Sequence, residues 1–328
     1  HVKTRGKSEY SDTFWMAPPP LRACECPITR RPLQRKKTKT LKKNDTQYDE
    51  SKIKTLSPLE HIRLRTGMYI GRLGSGTDPD DGIYVLLKEV VDNSIDEYIM
   101  GHGKNIDISI QNDKVSIRDY GRGIPLGKII ECVSVINTGA KYNDDVFQFS
   151  VGLNGVGTKA VNALSSHFRV VAYREGKYSE ATFSQGNLLS HKKKGTTTEK
   201  DGTLVEFEPD EDIFGEYAFN HEFVEKRMSN YACLNSGLRL NYNGQKFESK
   251  HGLLDLLRTE AGDGMIYEPA YYKAKQLEFA FTHIEGYGES YRSFVNGQYT
   301  SDGGTHQSAF REGLFKGVNE FYKKNYNS

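Results

Sequence analysis

Two apolar runs with a period of two constrain the fold of this chain more than any other feature. Residues 106–110 alternate isoleucine with polar residues, and residues 115–117 resume the alternation after Asn112-Asp113. Such alternation on both sides of two turn-forming residues predicts a β-hairpin. Asp119 falls in phase with the apolar residues, so we expect its carboxylate to point into the core, where it must accept hydrogen bonds or lose several kcal/mol.

Helices and further strands surround this hairpin and predict an α+β fold. Ser57-Pro58-Leu59-Glu60 has the residues of a helical capping box, with a short helix ending near Arg65. Apolar residues at helical spacing predict helices at Ile83–Met100, Thr158–Ser165, Phe223–Cys233 and Leu253–Arg258. Strands are predicted at Phe168–Arg174, Tyr178–Ser184 and Thr203–Glu208, and a second hairpin across Asn243-Gly244.

The pattern restarts after Gly262-Asp263-Gly264. Alternating segments at Leu277–Thr282 and Tyr291–Val295 precede a helix with one apolar stripe, formed by Phe310, Leu314, Val318 and Phe321. We therefore predict a second unit at residues 264–328. It is short for a domain, and we expect it to be incomplete.

Charge is unevenly distributed along the chain. The formal net charge is +2, but residues 1–50 carry 12 Lys/Arg and 6 Asp/Glu, which leaves the remainder mildly acidic. The leader is also rich in proline, and this composition predicts disorder. It could be a nucleic-acid-binding arm, but a solvated leader is favoured because basic runs are unspecific.

No segment has the length of apolar sequence that a membrane span needs, and no signal segment opens the chain. The four cysteines, Cys24, Cys26, Cys132 and Cys233, are scattered and lack the spacing of a zinc site. This usage is typical of a reducing compartment and predicts a cytoplasmic protein without a membrane partner.

The first candidate for chemistry lies on the predicted helix Ile83–Met100. Glu89 and Asn93 are four residues apart and share a helical face. A carboxylate can act as a general base, and a carboxamide oxygen can bind Mg²⁺. Spacing alone favours the simpler explanation, a solvated acidic face.

Two glycine-containing segments follow the helix. In Asp119-Tyr120-Gly121-Arg122-Gly123, the carboxylate either accepts from an adenine amine or caps its own turn, and the sequence does not separate these alternatives. Residues 152–159 read GLNGVGTK, which is neither a Walker A loop nor a Rossmann fingerprint. Glycines before a helix can nevertheless present backbone N–H groups to phosphates.

The three elements in this order resemble the nucleotide motifs of the GHKL ATPases. Four further segments resemble the ATPase (B) subunits of bacterial type IIA topoisomerases, DNA gyrase and topoisomerase IV: Arg65–Gly71, Glu89–Glu97, Thr138–Tyr142 and Asp302–His306. The resemblance runs from about Tyr48 to the end. It implies a two-layer α/β sandwich of the Bergerat type with a mixed, mainly antiparallel sheet, followed by the first part of an α/β transducer domain.

The resemblance also implies roles for individual residues. Glu89 would be the general base, Asn93 would bind Mg²⁺, and Asp119 would read the adenine of ATP with help from Thr203. Gly121 and Gly123 would line the base pocket, and Tyr48 of an N-terminal arm would reach the partner's nucleotide. The phosphates would be held by Lys141 and by the loop Gly152, Leu153, Asn154, Gly155, Val156 and Gly157. An aminocoumarin-type inhibitor would meet Arg122, Pro125 and Arg174 at the pocket rim.

The sequence departs from the family at several positions. The family usually has a histidine four residues before the base, and here that position is Val85; Tyr84 or a water could substitute. Phe147 replaces a tyrosine of the lid, and Asn154 stands where histidine is common. The Gln-x-Lys motif of the transducer is not reached, so we expect the chain to bind ATP and to hydrolyse it weakly.

The resulting prediction is an ATP-driven clamp. Residues 1–47 are a leader, residues 48–263 the ATPase domain with its arm, and residues 264–328 the start of the transducer. ATP would dimerise two copies and close a gate on DNA, within an A2B2 heterotetramer formed with the breakage-reunion subunit. A nucleoid-associated, cytoplasmic location follows from this role. The alternatives are a nucleotide-gated module of the Hsp90 or MutL type and a histidine kinase domain, which lacks its phosphoacceptor helix here.

Overall fold

The computed structural model describes Ile53, residues 55–138 and residues 155–326. The predicted capping box is confirmed: the Ser57 hydroxyl accepts from the backbone N–H of Glu60, and the Glu60 carboxylate accepts from that of Ser57. Helix α1 (Pro58–Leu64) begins there and is followed by a short helix α2 (Gly67–Ile70). The long helix α3 (Gly82–Ile99) starts one residue before the predicted position.

An eight-stranded sheet forms one layer of the fold, in the order β5-β4-β3-β6-β2-β1-β7-β8. Its strands are β1 (Asn105–Gln111), β2 (Lys114–Asp119), β3 (Ser165–Arg174), β4 (Lys177–Ser184), β5 (Asn187–Thr196), β6 (Gly202–Pro209), β7 (Arg239–Tyr242) and β8 (Gln245–Phe247). Neighbouring strands are antiparallel except for β1 and β7, which are parallel. The predicted mixed, mainly antiparallel sheet is confirmed.

The helices form the second layer on one face of the sheet. In β1 the isoleucines are buried and the residues between them are partly exposed, which is the predicted alternation. Helix α3 contacts β2 and β6, and the elements α4 (Ile129–Ser134), α5 (Gly157–Ala163), α6 (Glu211–Phe214) and α7 (His221–Leu234) complete this side. The core between the layers includes Leu87, Val91, Ile117, Phe168 and Phe207.

A less buried segment follows the sheet. It contains α8 (Leu253–Ala261), a 3₁₀ turn (Gly262–Gly264), β9 (Ala270–Lys273), β10 (Glu278–Phe281), β11 (Phe294–Val295), β12 (Gln298–Tyr299) and α9 (Thr305–Tyr326). Phe310 of α9 packs on Phe279 and Phe281 of β10, at 5.0 and 6.4 Å between ring centroids. The predicted helix is confirmed, and much of its apolar stripe is exposed, including Val318 and Phe321.

Several elements differ from the sequence prediction. Strand β5 was not predicted, because it is exposed along most of its length and carries three consecutive lysines, Lys192 to Lys194, instead of apolar alternation. Strand β9 is likewise exposed and was missed. Within the described residues, no helix is long and apolar enough to cross a membrane. The domain boundaries at 47/48 and 263/264 stay predictions.

Candidate nucleotide site

Helix α3 brings Glu89 and Asn93 to the start of α5. The Asn93 Nδ2 group donates to the Glu89 backbone oxygen (2.7 Å) and to the hydroxyl of Thr158 (2.8 Å). The first and third sequence motifs therefore meet in space. Asn93 Oδ1 is the atom that a hard cation would prefer.

The Glu89 carboxylate lies directly against Gly157. A Cβ atom placed on Gly157 would come within 1.7 Å of Glu89 Oε2, so only glycine leaves room for this side chain. Lys88 stands on the other side, with its Nζ 3.6 Å from Glu89 Oε1 and 2.8 Å from Asp92 Oδ2.

The structure corrects one proposed substitute for the family's histidine. The Tyr84 hydroxyl donates to the Gly76 carbonyl (2.7 Å) and accepts from the Asn220 amide (2.8 Å), so it holds two loops together and does not orient Glu89. Val85 packs against the hydrophobic core. Among the described residues, Lys88 is a charged side chain that lies beside Glu89.

Asp119 is buried at the end of β2, as predicted. Its Oδ1 accepts from the backbone amides of Gly121 (2.9 Å) and Thr203 (3.2 Å). Burial raises the pKa of Asp119 to about 6, although these two amides lower it. The turn-capping alternative is thus present, and because both amides use Oδ1, it is compatible with ligand recognition by the same carboxyl group.

The two glycines after Asp119 are required by close packing. A Cβ on Gly121 would lie 2.8 Å from the Cβ of Glu97. Gly123 has a φ of +73°, and a Cβ there would lie 2.6 Å from the Tyr173 carbonyl oxygen. This turn therefore fits against α3 on one side and against β3 on the other.

Arg122 is held in place by Glu97 of α3. Its Nε and Nη2 donate to the two carboxylate oxygens at 3.0 and 2.9 Å, and its backbone N–H donates to Oε2 at 2.9 Å. Burial raises the pKa of Glu97, but the hydrogen bonds and charge of Arg122 outweigh burial, and the net pKa lies below the usual value. The hydrogen bond to Glu97 raises the pKa of Arg122.

The other predicted rim residues lie at the same turn. Arg174 Nη1 donates to the Gly123 carbonyl at 3.3 Å, and Pro125 follows two residues later, its carbonyl accepting from the Lys128 amide at 2.8 Å. The structure therefore brings Arg122, Pro125 and Arg174 to one edge of the site.

Part of the predicted phosphate loop belongs to the described residues. Gly155 has a φ of +59°, Val156 precedes the first turn of α5, and Gly157 begins that helix. Lys159 is buried and donates to the Thr138 carbonyl (2.7 Å). This hydrogen bond links α5 to the residues that follow α4. The predictions for Tyr48, Lys141, Phe147, Gly152, Leu153 and Asn154 lie outside the described residues.

Sequence reasoning missed three groups around the site: Thr158, Glu97 and Lys88. Lys88 and Asp92 are four apart on one helix, which was a signal for their ion pair. Asp92 was a further omission. Its carboxylate is buried and also accepts from Tyr231 (2.6 Å) and Gln298 (2.9 Å), contacts across the chain that no local pattern reveals.

Comparison with known proteins agrees with this geometry. Residues 78–213 match the family described as histidine kinase-, DNA gyrase B-, and HSP90-like ATPase, and residues 242–328 match DNA gyrase B. The two-layer fold, with these motifs at one site, defines the class: a nucleotide-binding ATPase domain of the GHKL type.

Individual relatives show which of the GHKL ATPases this chain is similar to. The chain is 64% identical over 282 residues to the B subunit of DNA topoisomerase 4 from Borreliella burgdorferi, covering 86% of this chain and 47% of that protein. It is 34% identical to the B subunit of DNA gyrase from Campylobacter jejuni, covering 85% of this chain and 38% of that protein. A crystal structure of the 43K ATPase domain of Thermus thermophilus gyrase B, in complex with an aminocoumarin, superposes with a TM-score of 0.66 at 29% identity, covering 82% of this chain and 75% of that one.

The chain belongs to the family of ATPase (B) subunits of bacterial type IIA topoisomerases, which contains the corresponding subunits of DNA gyrase and topoisomerase IV. It spans less than half the length of these two relatives.

Proposed function

We propose that this chain binds and hydrolyses ATP as the motor part of a type IIA topoisomerase. The observation that carries the proposal is the meeting of Glu89 and Asn93 with the amino end of α5. Helix α3, which carries both residues, contacts the turn after the buried Asp119 through the bond between Glu97 and the Arg122 amide. Phosphoryl transfer to water needs mainly positioning and charge neutralisation, and this arrangement can supply both.

The proposed roles follow from chemistry and placement. Glu89 accepts a proton from the attacking water, and Asp119 accepts a hydrogen bond from the adenine amine, with Thr203 beside it. Gly121 and Gly123 line the base pocket, while Lys141 and the backbone of Gly152 to Gly157 hold the phosphates. Tyr48 reaches the partner's nucleotide.

Asn93 is the proposed Mg²⁺ ligand, through Oδ1. Among the described residues no cluster of three or more His, Cys, Asp or Glu side chains could form a metal cage. That fits Mg²⁺, which usually takes few protein ligands together with substrate phosphates and water. The bound ion would neutralise charge on the phosphates.

At the level of the assembly, we propose that ATP brings two copies together and closes a gate on a DNA segment, with the A subunit completing an A2B2 heterotetramer. Arg122, Pro125 and Arg174 form the rim at which an aminocoumarin would bind. A cytoplasmic, nucleoid-associated location belongs to the same proposal. The higher identity to the topoisomerase IV relative favours decatenation over supercoiling, and the two assays with the A subunit would separate them.

Two variants test the core of the proposal. Glu89→Ala should keep ATP binding in calorimetry while abolishing phosphate release in the full subunit, and Asp119→Asn should weaken ATP binding. Glu131→Ala, which removes an exposed glutamate paired with Lys128 on α4, is the matched control and should change neither. Unaltered hydrolysis by Glu89→Ala would remove Glu89 as the base.

A further inference from the structure

Arg118 occupies an unusual position on the face of the sheet opposite the helices. It directly precedes Asp119 on β2, so its side chain points away from the core while that of Asp119 points in. The guanidinium carbon lies 4.7 Å from the ring centroid of Tyr120 and 4.5 Å from that of Tyr173, which places the charge between two aromatic faces.

The same guanidinium joins two parts of the backbone. Nη1 donates to the carbonyl of Asp119, and Nη2 donates to the carbonyl of Lys200, just before β6 begins. A planar group with several fixed donors suits this bridging role, which a lysine ammonium cannot reproduce.

The bridged backbone is the part that surrounds the Asp119 carboxylate. Gly202 follows Lys200 by two residues, and a Cβ on Gly202 would lie 2.2 Å from the Asp119 carbonyl oxygen and 2.3 Å from Arg118 Nη1. The next residue, Thr203, donates its amide to Asp119 Oδ1 at 3.2 Å. Tyr173 pairs with Gly202 in the sheet, so the ring that stacks on Arg118 belongs to the same junction.

We propose that Arg118 is a positioning residue for recognition of the nucleotide base. Arg118 holds the carbonyls of Asp119 and Lys200 together. It thereby fixes the distance between the Asp119 carboxylate, which points to the buried face of the sheet, and the backbone amide of Thr203. The inference rests on the proposed reading of adenine by Asp119, and it assigns the discrimination between bases partly to a side chain that does not touch the nucleotide.

Calorimetric titration of the chain with ATP and with GTP, well below the melting temperature, tests this role. Arg118→Met should raise the Kd for ATP about tenfold and reduce the preference for ATP over GTP, because a loosened junction no longer holds the carboxylate and amide in register. Arg239→Met is the matched control: it removes an exposed arginine paired with Glu248 on the neighbouring part of the sheet, and both affinities should stay unchanged.

Two further variants separate the bridging of the two carbonyls by Arg118 from the effect of its charge and from an effect on folding. Compared with Arg118→Met, Arg118→Lys should restore little of the preference for ATP over GTP. Full restoration would mean that charge alone matters and would overturn the positioning role of Arg118. Tyr173→Leu, which leaves the strand hydrogen bonds intact, should weaken the ATP preference in the same direction, and it provides the test if Arg118→Met does not fold.

Asp119→Asn distinguishes a failure of the adenine assignment from a failure of the role proposed for Arg118. If Asp119→Asn leaves ATP affinity and base preference unchanged, the adenine assignment itself fails. If Asp119→Asn weakens binding while folded Arg118→Met or Tyr173→Leu binds both nucleotides as the unsubstituted chain does, the role of Arg118 is wrong and the adenine assignment stands.

Discussion

The carboxylate of Glu89 fills the space that a side chain on Gly157 would occupy. Glu89 Oε2 lies 1.7 Å from the position of a Cβ on Gly157, although Gly157 has an ordinary helical backbone that alanine could adopt. Glycine is therefore required at this position by the neighbouring side chain and not by its backbone conformation. The contact fixes the proposed base against the amino end of α5.

Gly157→Ala should consequently separate folding from catalysis. The end of a glutamate side chain can rotate away, so we expect the melting temperature to stay within a few degrees, with the higher helix propensity of alanine offsetting part of the crowding. Hydrolysis of ATP should fall at least about tenfold because the displaced carboxylate no longer reaches the water. Steady-state phosphate release and thermal unfolding measure the two effects.

A suitable control for this substitution lies on α9. Gly313 is also helical, and a Cβ there meets no atom within 4 Å, so Gly313→Ala should leave hydrolysis unchanged. Full activity in Gly157→Ala would show that the carboxylate acts from another position than the one seen here.

Lys88→Met should lower kcat several-fold and leave the KM for ATP nearly unchanged. The ammonium lies beside Glu89 and is itself held by Asp92, so its removal frees the carboxylate to take other orientations. The KM should change little because the proposed nucleotide contacts belong to other residues. Lys128→Met, which breaks an exposed lysine–glutamate pair on α4, is the control and should have no effect. An unchanged kcat in Lys88→Met would mean that Glu89 is oriented by other groups.

Local sequence patterns were sufficient for most of the fold. The capping box at Ser57, the turn at Asn112-Asp113 and the inward phase of Asp119 depend on residues close together in the chain, and each was predicted correctly. Strand β5 was missed because it is an edge strand held by its pairing with β4 and has no apolar pattern of its own.

The site could be predicted only in part for a related reason. The residue types of Glu89, Asn93 and Asp119 gave candidate chemistry, but their partners come from distant segments. Thr158, which accepts from Asn93, and Arg118, which bridges Asp119 and Lys200, acquire their roles only when β2, β6 and α5 are assembled. The prediction that Tyr84 could replace the family's histidine was wrong. Its hydroxyl is bonded to Gly76, before α3, and to Asn220, at the start of α7.

Asp119→Asn should stabilise the ligand-free protein at neutral pH while weakening ATP binding. Burial raises the pKa of Asp119 to about 6, above its value in an unfolded chain, so the folded state binds the proton more tightly. The corresponding stability is present below about pH 4 and is lost as pH rises through about 6. Asparagine keeps an acceptor for the Gly121 and Thr203 amides without the charge.

Thermal or urea unfolding between pH 4 and 8 measures this prediction. The free energy of unfolding of Asp119→Asn should exceed that of the unsubstituted chain by roughly 1–3 kcal/mol at pH 7, and the difference should vanish towards pH 4. A difference that does not depend on pH would contradict burial of an ionised carboxylate at this site.

Gln298→Leu should loosen the contact between the C-terminal segment and α3. Gln298 of β12 donates to Asp92 Oδ2 at 2.9 Å, and Asp92 is only 2% exposed, so the loss of a donor leaves a buried charge with fewer partners. Tyr231 continues to donate to Oδ1, since burial and the nearby Asp92 raise the pKa of Tyr231 well above its usual value and keep it protonated. We expect a loss of about 1–2 kcal/mol in the free energy of unfolding.

Hydrogen exchange would locate this loss. Amides of residues 294–300 should exchange faster in Gln298→Leu, whereas the strands β3 and β4, which do not depend on this contact, should exchange as before. Gln276→Leu, at an exposed position of the same segment, controls for the added leucine and should leave exchange and stability unchanged. Asp92 also holds Lys88 beside Glu89, so Gln298→Leu should lower kcat as well, to a smaller extent than Lys88→Met does. If Gln298→Leu leaves both hydrogen exchange and kcat unchanged, the Gln298–Asp92 bond contributes neither to the packing of this segment nor to the placement of the base.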